Sequence, residues 1–211
     1  MFGKVMQMPQ TEKTPFYPRS PYGVAKLYAH WITINYREAY NIFASNGILF
    51  NHESPRRGET FVTKKIVQGL CKIKHGLLDR IFVGNLYAKR DWGHAREYVE
   101  AMWKILQNRK ADDFVIATGN QTTVKNFINI TSKKLGFKIK WKGKGVNERA
   151  YNIENNKCIV QCNKSYLRPL EVDTVLGDSS KARKMLKWRA RISINKLIEE
   201  MIYQEEKNLN I

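Results

Sequence analysis

Acidic residues are scarce in this chain: 19 Asp and Glu stand against 37 Lys and Arg, a formal net charge of +18 over 211 residues. An excess of that size is the electrostatic footprint of a nucleic-acid binder. The basic residues are spread along the sequence among Asn and Ile, however, with only short clusters such as Lys64-Lys65, Lys133-Lys134 and 138–144. No reader motif and no basic stripe interleaved with aromatics accompanies them. Solvated basic faces are therefore the first reading and an anionic small ligand the next, with nucleic acid kept as a rival.

Cysteine is scarce too. Cys71, Cys158 and Cys162 are an odd set without an export signal, so reduced structural thiols are expected. Cys158 and Cys162 are too isolated from His or other Cys to suggest zinc, His30, His52, His75 and His94 show no metal-ligand spacing, and no metal site is expected. No run approaches the ~18 apolar residues of a membrane span, and Met1-Phe2-Gly3-Lys4-Val5 lacks the apolar core of a signal peptide. A cytoplasmic protein is the expectation. Of the six prolines, four fall within residues 1–21, which have no sustained period and read as loop.

What is present in quantity is core-forming material. A 43% hydrophobic content with 11% aromatics suits a globular chain with one good core or two small ones. The organising stretch is Ser20-Pro21-Tyr22-Gly23-Val24-Ala25-Lys26. Ser20 suits an N-cap and Pro21 the first helical turn, where a missing amide donor costs nothing. Val24, Leu27, Tyr28, Trp31, Ile32 and Ile34 continue at helical spacing toward Tyr40, which predicts one amphipathic helix. Tyr22 and Lys26 then share a face. An ammonium beside a phenol favours the phenolate and makes it a usable general base. Alone, a Tyr-x-x-x-Lys pair is a weak signal.

Downstream, 41–50 reads as a buried parallel strand, followed by a polar loop over 51–58 where an α/β sheet places ligand contacts. A helix over 61–74, a strand over 80–85, a helix after His94 and a buried strand over 113–118 continue a βα alternation. Residues 122–135 read as helix closed by Gly136, 138–141 as an edge strand, and Asn155-Asn156 as the turn of a hairpin. A short helix is expected over 179–186 and an amphipathic one over 194–205.

Several segments together carry a resemblance that the Tyr-x-x-x-Lys pair alone does not. They are Thr14-Pro15-Phe16-Tyr17-Pro18-Arg19-Ser20-Pro21-Tyr22, the run from Gly47-Ile48-Leu49-Phe50-Asn51-His52-Glu53 through Ser54-Pro55-Arg56-Arg57-Gly58 to Val62, and Arg90-Asp91-Trp92-Gly93-His94. Phe114-Val115-Ile116-Ala117-Thr118-Gly119 and Tyr166-Leu167-Arg168-Pro169-Leu170-Glu171-Val172-Asp173 complete the set. In this order the chain resembles the GDP-mannose 4,6-dehydratases of the extended short-chain dehydrogenase/reductase family.

The resemblance implies an α/β fold: a partial Rossmann-like parallel sheet with helices, plus a smaller C-terminal α/β sugar-nucleotide domain. It implies residues 1–60 as the remainder of an NADP-binding domain bearing the catalytic helix. Residues 61–211 would form mainly the substrate domain, with the 113–118 strand returning to the sheet. The implied reaction dehydrates GDP-mannose to GDP-4-keto-6-deoxymannose. A hydride passes from carbon 4 of the sugar to NADP while Tyr22, supported by Lys26, accepts the hydroxyl proton; water leaves across carbons 5 and 6, and the hydride returns at carbon 6.

By the same resemblance Tyr22, Lys26, His52 and Arg57 touch the cofactor. Asn51, Arg90, Arg168 and Glu171 touch the sugar nucleotide, the arginines on the diphosphate and Glu171 on the ribose. A homo-oligomer is implied for the complete enzyme. The family's glycine-rich pyrophosphate turn has no counterpart among the thirteen glycines, and its catalytic Thr and Glu would fall before Met1. The expectation is a C-terminal part that works once an N-terminal fragment completes it, with an inactive remnant as the alternative.

Overall fold

The computed structural model describes residues 1–167 and 170–210. Its elements run α1 (Pro21–Tyr40), β1 (Gly47–Leu49), β2 (Asn51–Glu53), α2 (Val62–Lys74), β3 (Ile81–Val83), β4 (Lys89–Arg90), β5 (Trp92–His94), α3 (Ala95–Leu106) and β6 (Phe114–Ile116). They continue with β7 (Thr122–Thr123), α4 (Val124–Lys134), β8 (Ile139–Lys142), β9 (Arg149–Asn152), β10 (Cys158–Cys162), α5 (Ser180–Leu186) and α6 (Ile194–Asn208). The chain divides into two compact units: Met1–His52 with Lys89–Gln121 and Leu170–Ile192, and Glu53–Ala88 with Thr122–Pro169 and Ser193–Ile211. The α/β class expected from the sequence is the class observed.

In the first unit β1 and β6 pair in parallel, Gly47 opposite Phe114 and Leu49 opposite Ile116. All of β6 is buried, as a parallel strand covered on both faces must be, and its side chains alternate between two cores. Phe114 and Ile116 join Tyr98, Ala101 and Ile105 of α3, Ala182 and Leu186 of α5, and Trp188. Val115 joins Phe2, Ile48, Phe50 and Ala117 on the opposite face. Trp188 donates its indole N–H to the Glu97 carbonyl at 2.9 Å, so the largest buried ring leaves no donor unmet.

The second unit carries a four-stranded sheet in the order β3-β10-β9-β8. β3 and β10 run parallel, and the other two pairs antiparallel. Asn156, at φ 54°, supplies the left-handed turn residue of the expected β9–β10 hairpin. β8 is the edge strand the sequence predicts, and its Lys140 and Lys142 are exposed, a charged edge that discourages further pairing. α2 buries Ile66, Val67, Leu70 and Cys71, and α6 buries Leu197, Ile198, Met201 and Ile202. Gly69 lets α2 lie close to β3: a Cβ there would stand 2.2 Å from Ile81 Cγ2. Lys64 and Glu205, both buried in this unit, form an ion pair. The three cysteines are free, and burial pushes the Cys71 thiol up to about 12.

Three expectations need correction. The polar loop read over 51–58 opens as strand, residues 51–53 forming β2, so the loop itself starts only after Glu53. The strand predicted over 41–50 is confined to 47–49; Asn41 takes a left-handed conformation at φ 51° that closes α1, and the chain then needs several residues to turn back. α1 has the predicted length, but its apolar face is not buried by this chain. Only Gly23 and His30 are buried, while Val24, Tyr28, Trp31, Tyr36 and Tyr40 lie between 48 and 69% exposed. Periodicity identifies an apolar face; it does not identify what covers it.

Candidate functional site

The first half of the site sits at the start of α1. Ser20 is extended and its Oγ accepts from the Gly23 amide at 3.0 Å, with Pro21 following in the first turn. That cap fixes where the helix begins, and so puts Tyr22 in its first turn, at the positive end of the helix dipole. Lys26, one turn on, holds its Nζ 5.6 Å from the centre of the Tyr22 ring. Tyr22 is 71% exposed, and among the described residues neither its hydroxyl nor the Lys26 ammonium has a hydrogen-bond partner. Both polar groups are available to a ligand.

α1 is held onto the sheet by a cluster at its far end. Arg37 grips Asp113 with both Nη atoms, at 2.9 and 3.1 Å, and also donates to the Ala44 carbonyl. Asn46 donates to the same carboxylate through its amide and its side chain. Burial alone would raise the Asp113 carboxyl; hydrogen bonds from Arg37 and Asn46 outweigh it and hold the group below its ordinary range.

Asn51 and His52 lie in β2, half-buried. The imidazole Nδ1 of His52 donates to the Phe50 carbonyl at 2.9 Å, and the ring stacks on Tyr98 with centroids 5.0 Å apart.

In the second unit, Arg57 lies at 3.0 Å from the buried Glu53 carboxylate, with its guanidinium 3.5 Å from the centre of the Phe61 ring. Glu53 also accepts from the Thr63 hydroxyl at 2.7 Å; burial raises its carboxyl, against the pull of Thr63 and Arg57. The loop that follows β2 is thus braced by its own side chains, and Arg57 is oriented before any ligand arrives.

Arg90 and Glu171, 81 residues apart, come together in the first unit: Nη2 donates to Oε1 at 2.8 Å, and Nη1 donates to the Lys89 carbonyl at 3.0 Å. Arg168 lies outside the described residues. The segment bearing Glu171 is stitched down by Lys89, whose amide donates to the Asp173 carbonyl and whose carbonyl accepts from Val175. Asp91, completely buried, accepts from the Thr118 amide and hydroxyl at 2.9 and 2.6 Å, from Gly119 at 2.9 Å and from Gly177 at 3.4 Å. Burial raises its carboxyl and these donors oppose the rise. Sequence reasoning did not single out Asp91, because its donors lie 27 and 86 residues away.

The residues present suit a nicotinamide dinucleotide in part. Tyr22 and Lys26 offer an unsatisfied hydroxyl and ammonium; the glycine-rich pyrophosphate turn is not among this chain's residues. No helix among the described residues is long and apolar enough to cross a membrane.

The comparisons with known proteins agree with this architecture. The family model described as GDP-mannose 4,6 dehydratase matches residues 1–201. GDP-mannose 4,6 dehydratase 2 of Caenorhabditis elegans is 54% identical over 202 residues, 96% of this chain and 53% of that protein. The Homo sapiens GDP-mannose 4,6 dehydratase is 53% identical over 205 residues, 97% of this chain and 55% of that protein. The chain spans about half the length of the curated relatives it matches. Among solved structures, RMD from Pseudomonas aeruginosa, complexed with NADPH, superposes with a TM-score of 0.82 at 18% identity over 98% of this chain and 64% of that one. The dTDP-glucose 4,6-dehydratase of Bacillus anthracis, in complex with NAD, gives 0.79 at 18% identity over 99% and 60%. These two likenesses carry the Rossmann-type fold, and the sequence relatives carry the family: the chain belongs to the GDP-mannose 4,6-dehydratases.

Proposed function

We propose that this chain is the catalytic-helix and sugar-nucleotide part of an enzyme that dehydrates GDP-mannose to GDP-4-keto-6-deoxymannose, working once an N-terminal half completes it, in cis or in trans. The observation that carries the reading is the pair Tyr22 and Lys26 on one exposed helical face, in a chain about half identical to GDP-mannose 4,6-dehydratases along nearly all its length. Support for a completing segment comes from the uncovered face of α1 and from β1, whose second edge is paired by no strand among the described residues. A homo-oligomer is part of the same proposal.

Within this reading the Tyr22 oxygen takes the proton of the carbon-4 hydroxyl. The Lys26 ammonium and the helix N-terminus stabilise the negative charge that develops there. When bound, NADP supplies hydride acceptance at carbon 4 and hydride return at carbon 6. Loss of water across carbons 5 and 6 is assigned to no residue of this chain. Lys26, His52 and Arg57 hold the cofactor, Asn51 faces the sugar nucleotide, Arg90 and Arg168 take the diphosphate, and Glu171 takes the ribose. Arginine suits the phosphate task because its planar fork gives paired donors, and a carboxylate suits ribose hydroxyls because it only accepts.

Joining the chain to the N-terminal half of the Caenorhabditis elegans relative tests the function directly. The chimera is expected to convert GDP-mannose to the 4-keto-6-deoxy product. A folded, NADP-binding chimera without conversion would overturn the reading. In the same chimera Arg57→Ala is expected to weaken NADP by about tenfold, the loss that goes with one charge-assisted hydrogen bond. Fluorescence titration with NADP reads the change, and an unaltered affinity removes Arg57 from the cofactor site.

A further inference from the structure

Asp91 is an expensive residue to keep where it is. A carboxylate with no solvent exposure loses its hydration, and a well-packed apolar side chain often stabilises such a position as well or better. Its oxygens are spent wholly on other segments: the loop leaving β6 at Thr118 and Gly119, and Gly177, six residues beyond Glu171. Gly177 is itself held close, since a Cβ there would lie 2.2 Å from the Ala117 Cβ.

Arg90 immediately precedes this anchor. Neighbouring residues of extended chain point to opposite sides, so an inward anchor at 91 dictates where the side chain at 90 emerges. The same pinning fixes the Glu171 segment from its far end, while the Lys89 pairings to Asp173 and Val175 fix it in between. The guanidinium and the carboxylate that meet at 2.8 Å are therefore aimed by one buried group.

We infer that Asp91 is a positioning residue for diphosphate recognition, acting through Arg90 by tying three chain segments to one carboxylate. The inference rests on the reading of Arg90 as a diphosphate ligand. Asp91→Asn keeps the shape but turns an amide donor toward backbone amides that are also donors, so at least one bond is lost and the strand junction shifts.

The test is a double-mutant cycle on the full 211-residue chain, with GDP as the probe in calorimetry. Asp91→Asn is expected to weaken GDP by about tenfold, the middle of the range for residues coupled in one network. In the Arg90→Ala background the same change is expected to move affinity by less than about twofold, while still lowering the melting temperature. Thr118→Val removes a single donor to Asp91 and serves if Asp91→Asn does not fold; its smaller loss must also vanish without Arg90. Equal losses with and without Arg90, or no loss in either variant, would overturn the inference. Arg90→Ala binding GDP as tightly as wild type would instead sink the diphosphate reading, a distinct result.

Discussion

Tyr22→Phe is expected to cut turnover of the completed enzyme by about 10²-fold or more, the size of effect that goes with removing a general base. The change deletes one oxygen from a side chain that is 71% exposed and packs little of the core, so the fold has no reason to respond. Binding has little reason to respond either, because the diphosphate contacts are assigned to arginines elsewhere. Loss in kcat with KM and circular dichroism unchanged is therefore the expected pattern, since an interaction made in the transition state alone lowers kcat. Turnover near that of the parent chimera would remove Tyr22 from the chemistry.

The start of this helix was legible because capping is local. Ser20, Pro21 and the phenol–ammonium spacing are all set within seven residues, and the observed cap uses those groups. The hairpin at Asn155-Asn156 and the edge strand after Gly136 were legible for the same reason, turn chemistry and alternation being short-range. What was not legible is long-range. Arg90 has Asp91 beside it in the sequence and Glu97 a short way on, yet it meets Glu171, while Asp91 serves the Thr118 hydroxyl and backbone amides and Glu97 accepts from Arg191 and Ile192. The separations involved, from 27 to 95 residues, leave no periodic trace. A faint signal existed in the glycines that Asp91 binds, Gly119 and Gly177, whose amides can approach a buried carboxylate closely.

The fate of α1 also turns on long-range contacts. Its 20 residues bury little, so its attachment to the first unit depends on a few groups, of which Asp113 is the most heavily used. The side chains of Arg37 and Asp113 are 18 and 15% exposed, far less than those of Lys138 and Glu154, a pair at 3.5 Å with 75 and 57% exposed. The latter kind contributes about 0–1 kcal/mol. Removing one partner of a buried pair costs about 3–5 kcal/mol. Partial solvent access reduces that for Asp113→Ala to about 2–3 kcal/mol, including the two Asn46 bonds lost with it. Urea unfolding of the 211-residue chain reads this as a lower midpoint at unchanged slope. The pH dependence follows from the direction of the shift: the carboxyl is held below its ordinary value of 3.8, so its contribution is present above the unfolded pKa and lost as pH falls through the folded one. Wild type should therefore lose stability to acid below about pH 4 more steeply than Asp113→Ala. Parallel acid profiles for the two proteins would show that Asp113 does not carry the attachment of α1.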